Sequence, residues 1–148
     1  MPSEGQLQTD LQTAMKAREM EKVYILRGLI SAIKNLKIEK QISALAESDI
    51  VALVRKEINK RTEAADFARQ ANRPDLIAQN ESEKAVLAVY LPQQLSAEAL
   101  ESVLRALATE LGSTQIGPLM TQLRERYAGQ FDGKLASEII RKISDTPR

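Results

Sequence analysis

Arg27, Lys34 and Lys37 stand seven and three residues apart, close to one face of a helix, and Lys40 extends the line past a single acid, Glu39. Cations held on a rigid helix neutralise phosphates without reading bases, so this spacing points to contact with a nucleic-acid backbone. The competing reading is structural: Arg27 pairs with a carboxylate inside the fold, and the lysines border an apolar face with their stems. A second candidate is the turn from Arg126 to Lys134. Gly129, Asp132 and Gly133 allow a sharp entry into a helix whose free N–H groups, with Arg126 and Lys134, would receive a phosphate. Asp132 competes for the same groups as an N-cap. Tyr127 and Phe131 are the aromatic residues near that turn, and Phe131 also suits a core.

Covalent and acid–base chemistry has little to draw on. The chain has no His and no Cys, which removes the group that titrates near neutrality, the thiolate nucleophile and the usual soft metal ligands. Asp49 with Glu57, or Glu81 with Glu83, are the carboxylates nearest to an acid–base pair. A helix turns positions two apart onto different faces, so they are expected to be solvated surface. No Asp-rich calcium loop and no GxxxxGK[ST] phosphate cradle occurs. No catalytic residue, no metal site and no cofactor is therefore assigned. Arg55, Lys56, Lys60 and Arg61 are interleaved with Glu57 and Glu63, which suggests mutual pairing along a wet helix face and no site.

The elements that must position these groups read as helices throughout. The 148 residues are 43% hydrophobic and 28% charged, a composition able to bury a core, and with two Phe, three Tyr and no Trp that core must be aliphatic. Apolar spacing of three and four runs from Leu7 to Ala17, and again from about Glu21 to Glu39, where Val23, Leu26, Leu29, Ile30, Ile33 and Leu36 mark a central helix. Ser48 and Asp49 suggest a capped start for a third helix running to about Ala71. Asn72-Arg73-Pro74 then reads as a tight turn into a fourth, which stops at Pro92. Beyond it Ser96 caps a helix ending at Gly112; a second short helix carries Ile116 to Leu123, and a third carries Leu135 to Ile143 before a frayed tail from Ser144 to Arg148. The expected fold is all-α: an N-terminal bundle of long helices over residues 1–92, joined to a smaller C-terminal three-helix module over residues 93–148.

Charge adds a limit. There are 14 basic and 13 acidic residues in 1–92, and 7 of each in 93–148, so neither part is a basic arm and any nucleic-acid contact must rest on local patches. The N-terminal residues show no basic and apolar leader, and Val23 to Ile38 is interrupted by Arg27, Lys34 and Lys37, so no membrane span is expected. Together with the lack of Cys, this gives the expectation of a cytoplasmic protein.

Several stretches carry a family likeness: Arg27-Gly-Leu-Ile-Ser-Ala-Ile-Lys-Asn35 with Ile38-Glu39; Arg73, Asp75-Leu76, Glu81 and Glu83; Tyr90-Leu-Pro-Gln-Gln-Leu-Ser96; and Gly117, Met120, Gly129, Asp132, Gly133 and Lys134. In this order the chain resembles the YqeY family, also called GatB/YqeY domain proteins, over nearly its whole length. Gly28 departs from the pattern, standing where a larger helix former is usual, as does Gln79-Asn80, where charged residues are common. The resemblance implies long helices followed by a three-helix module. It also implies kinship with the tail of the B subunit of tRNA-dependent amidotransferases, where the domain is thought to help hold tRNA.

The function implied by this resemblance is that of a non-catalytic, tRNA-associated accessory protein whose partner is tRNA, or a tRNA-charging or amidotransferase enzyme. The label amidotransferase, a carbon–nitrogen ligase with glutamine as amido donor, belongs to the larger enzyme. The alternative is a protein-interaction module docking on another chain through an exposed apolar helix face. The sequence leaves the oligomeric state open.

Overall fold

The computed structural model describes residues 2–145, and among them there are helices and no strands, as expected of an all-α chain. The helices are α1 Glu4–Lys16, α2 Met20–Lys40, α3 Glu47–Gln70, α4 Pro74–Ala88, α5 Ala97–Leu111, α6 Ile116–Arg126 and α7 Gly133–Asp145. They fall into two compact units that divide between Leu91 and Pro92.

In the first unit α1 begins at Ser3, whose hydroxyl accepts from Gln6 N at 3.1 Å and satisfies one of the free donors of the first turn. Arg18 takes a left-handed conformation, φ 57°, and breaks α1 from α2 at the polar stretch that follows it. Gln41 ends α2 in the same way, φ 56°. Asn72, φ 54°, turns α3 into α4, with Pro74 in the first turn of α4, where its missing N–H costs nothing.

The start of α3 differs from the sequence expectation. Its N-cap is Ala46, which offers no side-chain acceptor; Ser48 and Asp49 lie inside the first turn, and Asp49 is engaged by Lys40 at 3.3 Å. α1 packs chiefly on α2 and α3 on α4, and α2 also touches both α3 and α4. Leu7, Leu26, Leu29, Ile33, Ile50 and Leu87 are almost wholly buried between them. Truncating any one of these to Ala would cost about 2 to 5 kcal/mol.

In the second unit Ser96 caps α5 by accepting from Ala99 N at 3.1 Å, and Gly112, φ 66°, closes it in the left-handed region where a Cβ would be strained. Leu100, Leu104 and Leu107 of α5 meet Leu119 and Leu123 of α6 and Ile140 of α7 in a separate core. Phe131 and Tyr127 pack against that core instead of standing free for stacking. Ser144 and Asp145, expected in a frayed tail, instead continue α7, and the remaining tail residues, 146–148, lie outside the described ones.

Candidate functional site

The six basic residues singled out by spacing do not share one environment. Lys37 turns from the outer face of α2 toward α1, where its Nζ lies 2.6 Å from Glu4 Oε1, with both side chains half-buried. Lys40 pairs with Asp49 of α3 at 3.3 Å. In the second unit Arg126 of α6 donates two hydrogen bonds to Glu110 of α5, at 2.8 and 3.0 Å, and the guanidinium pulls the Glu110 carboxyl below its usual range. These three cations are neutralised by carboxylates of this chain.

Arg27 and Lys34 are not. Both are exposed on α2, and neither has a carboxylate partner among the described residues. The nearest polar contact of Arg27 is its Nη2 to Met15 Sδ at 4.0 Å, which is weak. Lys134, in the first turn of α7, has an exposed side chain with no ion pair among the described residues. Its backbone N donates to Asp132 Oδ1 at 3.4 Å, so the Asp132 side chain occupies the helix start that a phosphate would need. The turn before it is held from within its unit: Gln94 Nε2 donates to Gly129 O at 2.7 Å, and Leu95 N donates to Gln130 O at 2.8 Å.

The carboxylates considered for acid–base work are occupied as well. Asp49 holds Lys40, and Glu81 is paired with Arg69 at 3.2 Å and Lys84 at 3.7 Å. Glu57 holds Arg61 at 2.9 Å and Lys60 at 3.1 Å. Burial pushes the Glu57 carboxyl up, but the hydrogen bonds and charges of Arg61 and Lys60 outweigh it, and the net shift is downward. A general base would need the opposite shift. Glu83 is not the solvated residue that its sequence context suggests: it is 8% exposed, with Oε2 3.9 Å from Arg61 Nε, because α4 lays this side chain against α3. That Nε is buried without a hydrogen-bond acceptor. Among the described residues no group of His, Cys, Asp or Glu could hold a metal ion, and no helix is long and apolar enough to cross a membrane.

What remains exposed is the outer face of α2. Met20, Tyr24, Arg27, Ser31, Lys34 and Ile38 follow one another at steps of four, three, four, three and four, and all six face solvent. Met20, Tyr24 and Ile38 are 64%, 71% and 74% exposed, far more than such side chains need be. Beside this stripe, Tyr24, Arg27, Gly28 and Ser31 line a surface cavity of about 300 Å³, closed on the far side by Glu57, Arg61 and Leu87. Gly28 leaves its mouth open: a Cβ there would meet nothing within 4 Å. Sequence reasoning found the two free cations but not the apolar residues in register with them, since Tyr24 and Ile38 resemble core positions until the helix is docked.

The family model described as Yqey-like protein matches residues 4–143. Among curated proteins the chain is similar to "Altered inheritance of mitochondria protein 41, mitochondrial" of Lachancea thermotolerans, 34% identical over 113 residues that make up 75% of this chain and 60% of that protein. It is 28% identical to the protein of the same name in Saccharomyces cerevisiae, over 86% of this chain and 69% of that one. A third, in Vanderwaltozyma polyspora, is 31% identical over 57% of this chain and 46% of its own length. The chain thus spans less than two thirds of the Lachancea and Vanderwaltozyma relatives. The expectation of a cytoplasmic protein is overturned by these names, all of which are mitochondrial. A balanced charge and a lack of Cys describe folding and redox chemistry and carry no address.

Proposed function

The chain belongs to the YqeY family, and on that premise we propose that it is a non-catalytic accessory module that docks on a protein of the tRNA-charging or amidotransferase machinery through the outer face of α2. We read α1–α4 as a long-helix bundle and α5–α7 as a three-helix module, a reading supported by their separate cores. The observation that carries the functional proposal is the mixed stripe on α2, in which three large apolar side chains stand in register with two cations that no described residue neutralises. Phosphate backbones are held by many cations and few apolar groups, whereas protein interfaces combine an apolar centre with a small number of charges.

A second reading, direct contact with tRNA, is favoured by Arg27, Lys34 and Lys134, which remain without an acid among the described residues. With Lys37, Lys40 and Arg126 committed to carboxylates, that set is small. Each phosphate contact contributes a slope of about 0.9 in log affinity against log salt on a duplex, so tRNA binding through the two cations of the first unit, or through Lys134 of the second, would be weak and shallow in its salt dependence.

The two readings separate when Ser31 is replaced by photo-reactive benzoylphenylalanine, with the same replacement at Asn59 of α3 as control. Because the named relatives are mitochondrial, irradiation is carried out in a mitochondrial fraction as well as in whole extract. A protein adduct specific to position 31 is expected; an RNA adduct, or none, would overturn the docking proposal.

A further inference from the structure

Resting on the reading that the outer face of α2 docks a protein, we infer that its partner is an acidic amphipathic helix, which lies along α2 with carboxylates opposite Arg27 and Lys34 and apolar side chains against Met20, Tyr24 and Ile38. Met20, Arg27 and Lys34 recur every seven residues, as do Tyr24, Ser31 and Ile38, and two positions per seven residues is the heptad repeat that keeps one seam of a helix facing a second helix. The seam runs for about 27 Å at a rise of about 1.5 Å per residue. That is long enough for a partner of five turns. It is apolar at its ends and polar at its centre, where Ser31 and the neighbouring Gly28 are small, so a second backbone can approach closely.

Charge decides which helix fits. The acids flanking the seam on α2, Glu21 and Glu39, sit beside its two ends, while Arg27 and Lys34 hold its centre without a counter-charge among the described residues. A second copy of this chain is a poor occupant. Antiparallel pairing about Ser31 brings Tyr24 onto Ile38 but sets Arg27 within one residue of Lys34. Parallel pairing sets Arg27 on Arg27, and a slip by one heptad sets Arg27 on Lys34. Antiparallel pairing of Met20 on Ile38 sets Arg27 on Ser31 and Lys34 on Tyr24; no self-register offers either cation a carboxylate along the seam, which favours a partner with acids seven residues apart. The cavity beside Gly28 borders the first of those acids: Arg27 forms one wall, and Arg61 another, its charge shared with Glu57, which also lines the cavity, and with Glu83.

The probe is a 21-residue helix-forming peptide with Leu at the positions facing Met20, Tyr24 and Ile38, Ala facing Ser31, and Glu facing Arg27 and Lys34. Its counterpart carries Lys at the two Glu positions. The full chain should bind the Glu peptide at least tenfold more tightly than the Lys peptide. A variant with Arg27→Glu and Lys34→Glu should invert that preference, and Gly28→Leu should weaken the Glu peptide while the helical circular dichroism and melting temperature stay at or above those of the parent. Equal binding of both peptides, or binding unchanged in the charge-reversed variant, would overturn the inference. If neither peptide binds while the position 31 protein adduct forms, the acidic partner is wrong and the docking face stands. If the adduct also fails, or joins two copies of this chain, the docking reading falls with it.

Discussion

Lys37 Nζ lies 2.6 Å from Glu4 Oε1, tying the last turns of α2 to the first turn of α1. This half-buried pair makes Lys37 a structural residue, although it stands only three positions from Lys34, which has no ion pair among the described residues. The two lysines should therefore part company on mutation. Lys37→Ala is expected to lower stability by about 1 kcal/mol, near the upper end for partly exposed ion pairs, with no change in partner binding beyond the loss of folded protein. Lys34→Ala should leave stability within about 0.5 kcal/mol of the parent and weaken binding. Urea denaturation and the peptide titration, run on the same preparations, read both effects.

Gly28 lies within α2 with open space where a Cβ would stand. Gly28→Ala should raise stability by about 0.5 to 1 kcal/mol, because Gly is a poor residue inside a helix and no neighbour opposes the added methyl. A destabilised Gly28→Ala variant would show that the glycine is required by the fold and not by an approaching partner. The denaturant midpoint, compared at constant slope, measures it.

The Tyr90 hydroxyl donates to Asp10 Oδ2 at 2.6 Å, joining the chain after α4 to α1. Burial first, then the hydrogen bond to Asp10 and its negative charge, raise the phenol well above its ordinary value of 10.0. The folded state keeps the proton that the unfolded state gives up, so this contribution is full below about pH 10 and is lost as the pH rises beyond it. Tyr90→Phe should cost about 2 kcal/mol at neutral pH, typical of a hydrogen bond to a charged group. The variant should also lose less stability than the parent between neutral and strongly alkaline pH, as read by denaturant unfolding at each pH.

Glu57 gives the opposite sign. Its carboxyl, held by Arg61 and Lys60, lies below the usual 4.5 in the folded state, so the stabilisation it provides is present above that pH and is lost as the pH falls through the folded value. Glu57→Gln should be less stable than the parent at pH 7, and the gap should narrow steadily below about pH 4.5. A gap that stays constant with pH would mean that the Arg61 and Lys60 contacts contribute nothing specific to the ionised form.

Local chemistry makes much of the fold readable from the chain alone. Ser96 and Gly112 bracket α5, and Asn72 with Pro74 turns α3 into α4, because each acts through its own backbone and nearest neighbours. Ala46 carries no such signal, and the sequence accordingly places the start of α3 too late. Glu83 and Phe67 mark the limit of pattern reading. Glu83 is buried because α4 lays it against Arg61 of α3, while Phe67 of α3, apolar in a helical repeat, is 70% exposed. The candidate site is half legible for the same reason. Spacing identifies Arg27 and Lys34 as neighbours on one face, but the loss of Lys37 to Glu4, 33 residues away, depends on how α1 docks on α2. The apolar partners of the two cations become visible only once Tyr24 and Ile38 are found outside the core.

That the outer face of α2 meets a protein is tested most directly by affinity capture with the full chain, with and without ribonuclease, in parallel with a variant carrying Tyr24→Asp and Ile38→Asp. Both substituted positions are exposed, so the variant should remain folded. The expected outcome is a protein partner that survives ribonuclease and is lost with the double substitution. A partner that ribonuclease removes, and that the substitution leaves bound, would refute the docking face.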